Sequence, residues 1–293
     1  MIPAELLKKI QRIEITTRRM VDDAMSGQFR SHFKGHGVQF SEHRPYVAGD
    51  DIRHIDWKVS ARTRDPLVKK FEEERELTVL VLIDVSTSQE FGTEEKPKRE
   101  VAAEAAAMIA WAATRTGDKV GVVLVSGGVD QIIPPKKGRN HVLRIIRTVL
   151  EAKAVSSGTG LAQGLNAAGR AMKHAGVVFV ISDFIATDFD FSLKKLARRH
   201  DVVAIVTEDR WEREVVPAGL GRMRVVDLET GKSGVLKTDL FTLRRWYEEW
   251  LAKREEIFKA GRVEWLRLRS NESQADALVR FFRQRRSKSR TRL

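Results

Sequence analysis

Residues 77–90 read LTVLVLIDVSTSQE: an apolar and β-branched run from Thr78 to Ile83, then Asp84, Ser86 and Ser88 at alternate positions. Side chains of an extended chain alternate between faces, so these three oxygens leave the strand end on one side. Two further segments offer the same kind of donor. VVFVISDF supplies Ser182 and Asp183, and SSGTG supplies Ser156, Ser157 and Thr159. These are hard oxygen donors without sulfur or imidazole, a set that suits Mg2+ or Mn2+, suits Ca2+ less well and disfavours zinc. Neutral hydroxyls would leave the ion much of its charge and an open coordination position, able to capture a carboxylate from a partner. Each segment alone has a plainer explanation, because Ser or Asp after a strand is often the N-cap of the next helix. Their joint occurrence at the ends of elements is what argues for a site.

The elements that must hold these donors follow from the hydrophobic pattern. Strand-like runs fall at 77–84, 119–126, 129–133, 176–182, 201–207 and 263–269. Helical patterns fall between and after them, at 97–116, 139–151, 160–174, 191–199, 238–260 and 273–286. The stretch GRMRVVDLETGKSGVLK reads as a hairpin or edge excursion. Regular alternation predicts an α/β fold, a doubly wound and mostly parallel sheet with helices on both faces. A small N-terminal helix and an irregular or β element precede it. In such sheets the binding crevice lies beyond the carboxyl ends of the strands, where strand order reverses. The expected division is 1–76, 77–270 and a C-terminal helix with a basic tail at 271–293.

The chain has 293 residues, 42% of them hydrophobic, enough for a sizeable core. No apolar run approaches the roughly 18 to 20 residues of a membrane-spanning helix. The opening MIPAELLKKIQRIEITTRRM lacks the order of a signal peptide and reads as an amphipathic helix with Leu6, Ile10 and Ile13 on one face. Without cysteine there are no disulfides and no thiolate ligands, and the expected location is cytoplasmic. The net charge of +13 is concentrated at the end, in Arg280, Arg283, Arg285, Arg286, Lys288, Arg290 and Arg292. Such a tail is a solvated end, or a surface for an acidic protein, an anionic membrane or nucleic acid. In the helix before it, Leu278, Val279 and Phe282 share one side, which would dock on the sheet domain and leave the basic residues outward.

Asp84-Val85-Ser86-Thr87-Ser88, then Gly158-Thr159, then Ser182-Asp183 resemble the metal-ion-dependent adhesion site of the von Willebrand factor A-like domain in order and spacing. That resemblance implies hydroxyl ligands from Ser86, Ser88 and Thr159, with Asp84 and Asp183 holding the ion directly or through water. Gln89 departs from the apolar residue common in that family and leaves the five ligands intact. Upstream, GHGVQFSEHRPYVAGDDIRHIDWKVSARTRDPLVKKFEEERE resembles the signature of the bacterial domain-of-unknown-function 58 family. The match runs through Gly35, Gly37, Phe40, Arg44, Tyr46, Gly49, Asp50, Asp51, Arg53, Asp56, Trp57, Ala61 and Arg62. Read from the residues, Gly49-Asp50-Asp51 is a turn, Ile52, Ile55 and Trp57 pack, and Arg53, Asp56 and Arg62 pair with neighbours. The element is then either a salt-bridged clamp on the sheet domain or a partner-binding surface. The resemblance further implies a MoxR-type AAA+ ATPase as partner and a non-enzymatic adaptor role in chaperone-like assembly or activation of client proteins.

Other chemistries fit less well. A Mg2+-dependent phosphatase or phosphotransferase could use Asp84 as nucleophile, but it usually needs a second carboxylate two residues on, where Ser86 stands. SSGTGLAQG lacks the spacing of a dinucleotide fingerprint, and no phosphate-binding loop motif with its lysine occurs. His32, His36 and His43 lie close in sequence, but Gly35 breaks the helix that an i, i+4 zinc pair would need, and no His-Glu-x-x-His occurs. Nucleic-acid binding would rest on the tail alone.

Overall fold

The computed structural model describes residues 38–47, 49–63, 65–73, 77–92, 96–209, 212, 223–226, 233–236 and 240–290. The expected N-terminal helix, with His32 and His36, lies outside the described residues. Contacts divide the chain into two compact units, one of them residues 34–77.

In that unit, β1 (Val38–Pro45) pairs antiparallel with β2 (Leu67–Glu73). A 3-10 turn at Ile52–His54 and the helix α1 (Trp57–Thr63) connect them. Asp51 caps the turn by accepting from Arg53 N, the usual role of aspartate at a helix entry. Ile55 bridges to Val68 and is buried. Ile52 and Trp57, which the sequence assigned to packing, are 62% and 67% exposed. Ile52 opens the 3-10 turn and Trp57 opens α1, where neither side chain meets the hairpin core.

The second unit is built on a six-stranded sheet. Its strands are β3 (Thr78–Asp84), β4 (Lys119–Val125), β5 (Val129–Lys136), β6 (Val177–Ser182), β7 (Asp201–Glu208) and, later in the chain, β10 (Glu264–Arg269). Their order is β10-β7-β6-β3-β4-β5, parallel except for β5. The central strands β3 and β6 are apolar and buried on both faces, Val79 to Asp84 and Val177 to Ser182 throughout, whereas the edge strand β10 alternates apolar with charged residues. Pro134 and Pro135, which cannot donate to a ladder, sit in β5 at the sheet edge, the position where proline is tolerated. This is the doubly wound, mostly parallel α/β arrangement expected from the sequence. The helices are α2 (Lys98–Arg115), α3 (Arg139–Glu151), α4 (Leu161–Ala171), α5 (Asp190–Ala197), α6 (Leu240–Gly261) and α7 (Gln274–Arg290). The expected hairpin at 221–237 is β8 (Met223–Val226) against β9 (Ser233–Leu236).

Helices α4, α5 and α6 close one core around Leu80, Leu82, Val178, Val180, Phe184 and Phe258. On α2, alanines from Ala102 to Ala113 are buried, and their small side chains let the helix lie close to the strands. On α7, Leu278, Val279 and Phe282 are buried, Phe282 meeting Phe179 of β6 edge to face. The helix runs four residues beyond its predicted end. Arg285 departs from the outward placement expected of the basic residues: it is 8% exposed, donates from Nη2 to Asp201 Oδ1 at 2.7 Å and pairs with Glu264. It follows Leu278 and Phe282 at helical spacing and so lies on the docked face.

Candidate metal centre

Strand order reverses between β3 and β6. The chain fills the sheet from β3 toward β5 and then crosses back to β6, β7 and β10. Asp84 ends β3, Ser182 ends β6 and Asp183 follows it, so the donors of these two segments sit at this switch point. Two hydrogen bonds join the strand ends. Ser182 Oγ donates to Asp84 Oδ2 at 2.6 Å, and Ser88 Oγ donates to Asp183 Oδ2 at 2.9 Å. Ser86 Oγ lies 3.1 Å from Ser88 Oγ, and the Ser86 N–H donates to Asp84 Oδ1 at 2.9 Å. The turn after β6 is equally fixed. Ser182 Oγ accepts from Phe184 N and Asp183 Oδ1 accepts from Ile185 N. Phe184 holds a left-handed φ of 57° and is fully buried against Phe189 and Phe258. Aromatic packing thus holds a backbone conformation that a bulky residue otherwise avoids, directly after Asp183.

Thr159 is half-buried. It shares the wall of a cavity of about 550 Å3 with Ile185, Phe189, Trp246, Trp250 and Arg254. Its loop is tied to the β4–β5 turn by Ser126, whose Oγ accepts from Val155 N and Ser156 N at 3.2 Å. Gly160 N also donates to Ser126 O. The backbones approach so closely that a Cβ on Gly160 would lie 2.7 Å from Gly127 C and O, which is why glycine stands at that position. Ser156 and Ser157 are exposed.

Both carboxylates are buried, and their surroundings differ. Among the described residues Asp84 has only neutral donors. Burial, then the negative charge of Asp183, pushes its carboxyl up to about 6 against the hydrogen bonds from Ser182 and Ser86. Burial also works against the charge on Asp183, but a cation overcomes it and holds its carboxyl below the usual range. That cation is Lys98, which no motif in the sequence singled out. Its Nζ donates to Asp183 Oδ2 at 2.8 Å and to Glu212 Oε1 at 2.5 Å. Burial disfavours the ammonium, and the two carboxylates outweigh that and raise its pKa.

Arg254, also unforeseen, donates to Asp183 O at 3.1 Å and to Glu208 Oε1 at 2.8 Å, with Trp250 under its guanidinium. Gln89 is buried and accepts from Thr207 Oγ1 of β7. Among the described residues no group of three or more His, Cys, Asp or Glu could hold a metal. The donor set here is instead two carboxylates with serine hydroxyls. Asp84, Ser86, Ser88 and Asp183 are hard oxygens that fit a Mg2+- or Mn2+-class ion by type.

The signature residues of 34–77 pair within their own unit. Arg44 makes a two-pronged contact to Asp50 at 2.6 and 2.7 Å, and Val47 N adds a third donor. The Arg44 hydrogen bonds hold the Asp50 carboxyl down to about 2. Asp51 pairs with Arg53 and Asp56 with His43 and Lys69, the His43 hydrogen bond being the largest influence that takes Asp56 to about 2. Tyr46 N donates to Pro66 O, Trp57 opens α1, and Arg62 is exposed on its last turn. Of the basic tail, Arg280 and Arg283 are exposed. Arg286, Lys288 and Arg290 belong to α7, and Arg292 lies outside the described residues.

The uncharacterised protein Rv1480 of Mycobacterium tuberculosis is 32% identical over 231 residues, covering 78% of this chain and 72% of that protein. Among solved structures, BatB from Bacteroides thetaiotaomicron is similar over 72% of this chain and 99% of its own, with 17% identity and a TM-score of 0.47. The SpRpn10 VWA domain is similar over 69% and 94%, with 12% identity and a TM-score of 0.42. The family model described as "Protein of unknown function DUF58" matches residues 42–257, and the chain belongs to that family.

Proposed function

We propose that this chain is a non-catalytic, divalent-cation-dependent protein-interaction module. Asp84, Ser86, Ser88, Thr159 and Asp183 hold a Mg2+ or Mn2+ ion that accepts an acidic side chain from a partner. The observation that carries this reading is the pair of hydrogen bonds, Ser182 to Asp84 and Ser88 to Asp183, that gathers carboxylates and hydroxyls at the switch point of the sheet. The ion, when bound, supplies a Lewis-acidic position for a carboxylate. The protein's part is to fix the donors: Ser182 orients Asp84, Ile185 N orients Asp183, and Ser126 tethers the loop that bears Thr159.

The enzyme alternative draws less support. Ser86, two residues after Asp84, offers no acid to a leaving group where that chemistry usually places a second carboxylate. The family resemblance supports a MoxR-type AAA+ ATPase as partner and an adaptor role in chaperone-like assembly or activation of clients.

Isothermal titration of the full chain with Mn2+ and Mg2+ tests the site. Binding is expected in the wild type and lost in Asp84→Ala and Asp183→Ala; wild type and variants behaving alike would remove the metal from the reading. Pull-down of the ATPase is expected to fail in chelator, and equal recovery with and without it places the contact elsewhere.

A further inference from the structure

We infer that Lys98 is a tethered counter-ion that competes with the divalent cation for Asp183, so that loading the site requires the ammonium to release Asp183 and fall back on Glu212. This rests on the metal reading above and adds to it the residue that sets the site's affinity.

The geometry is specific. Asp183 Oδ2 already accepts from Ser88 Oγ at 2.9 Å and from Lys98 Nζ at 2.8 Å, while Oδ1 accepts from Ile185 N at 3.0 Å. A metal ion approaching Oδ2 meets a positive charge on the same oxygen. Lys98 is 1% exposed, so water cannot readily take over its donors if it leaves Asp183. A second carboxylate stands ready: Glu212 Oε1 is 2.5 Å from Nζ, and its Oε2 accepts from Asp209 N at 3.1 Å. The lysine is also held against local preference. It is the first residue of α2, where the unsatisfied N–H groups of a helix repel cations. An ammonium in that place depends on carboxylates for its stability, and among the described residues those that hold it are Asp183 and Glu212. One of them is a proposed ion ligand and the other is not, which gives the ammonium a partner in each state.

Competition by contact separates from a general effect of positive charge by charge balance. Lys98→Met removes the competitor. Lys98→Met with Glu212→Gln removes one charge of each sign, leaving the net charge of the wild type while still freeing Asp183. Titration of each full-length protein with Mn2+ is expected to give a Kd at least tenfold lower in Lys98→Met than in the wild type, and several-fold lower in the double variant. Mn2+ should likewise raise the melting temperature of both variants by more than that of the wild type. Equal Kd values in wild type and Lys98→Met overturn the inference and leave the metal site standing, provided that Asp84→Ala abolishes binding. A double variant that binds like the wild type overturns it too, because charge alone then accounts for the effect. No binding by any of the proteins at millimolar Mn2+ overturns both readings. If Lys98→Met does not fold by circular dichroism, the double variant and Lys98→Gln, both of which remove the ammonium, carry the comparison: a lower Kd than the wild type is expected in each, and a wild-type Kd overturns the inference.

Discussion

Ser182 Oγ donates to Asp84 Oδ2 at 2.6 Å across neighbouring strands, and both residues are fully buried. This bond makes the ends of β3 and β6 one unit, and it gives Asp84 a fixed orientation before any ligand arrives. Ser182→Ala leaves a buried carboxylate oxygen without its donor, at a cost of about 1–3 kcal/mol. Urea unfolding of wild type and variant checks the loss of stability. Mn2+ titration of the same pair should show weaker binding, because Asp84 is no longer held.

Below the site, Arg254 spans from α6 to Glu208 at the end of β7 and to the carbonyl of Asp183. Removing Arg254 leaves buried Glu208 with only the longer contact to Arg267 Nε at 3.7 Å among the described residues, so Arg254→Met is expected to destabilise the fold by about 3 kcal/mol. Adding Glu208→Gln should recover much of that loss, and a double-mutant cycle by denaturant unfolding measures the coupling. Additive losses would show that Arg254 acts through Trp250 and the Asp183 carbonyl rather than through Glu208.

The strands were legible because continuous apolar runs mark strands covered on two faces. Asp84, Ser86 and Ser88 do meet, but not by the alternation of an extended chain: the strand stops at Asp84, and a 3-10 turn at Thr87–Glu90, with Ser86 at its N-cap position, carries Ser88 back to Ser86. Lys98 was not legible. It stands in KPKRE, which reads as the solvated start of a helix, and its burial is set by Asp183 and Glu212, 85 and 114 residues away. Arg254 is hidden in the same way within a mixed-charge helix. Arg285 was lost in the run RQRR, although its spacing from Leu278 and Phe282 marked the inward face. Ile52 and Trp57 fail for the opposite reason: apolar character alone assigned them to a core that the short turn and helix do not extend to.

The inward phase of Arg285 on α7 can be measured against its neighbours. Phe282→Ala, which empties a buried aromatic site against Phe179, is expected to cost about 3–5 kcal/mol. Arg285→Ala is expected to lower the melting temperature clearly, since Asp201 and Glu264 lose their partner. Arg280→Ala and Arg283→Ala, on the exposed side, should each stay within about 0.5 kcal/mol of the wild type. Equal effects from all three arginines would mean that α7 is not docked through the Arg285 face.

In the hairpin unit the acid dependence has a defined sign. Asp50 titrates near about 2 because Arg44 and Val47 N stabilise its charged form. Its contribution to folding is therefore fully present above the ordinary carboxylate value of about 3.9, and fades as pH falls through that value toward about 2. The carboxyl carbon of Asp50, followed by NMR in an acid titration, should show a midpoint near about 2 in the wild type. In Arg44→Ala the midpoint should rise most of the way to the ordinary value, short of it by what the Val47 N–H still contributes. A midpoint unchanged by that substitution would show that the backbone donor alone sets the charge, and that the Arg44 fork does not lock this turn.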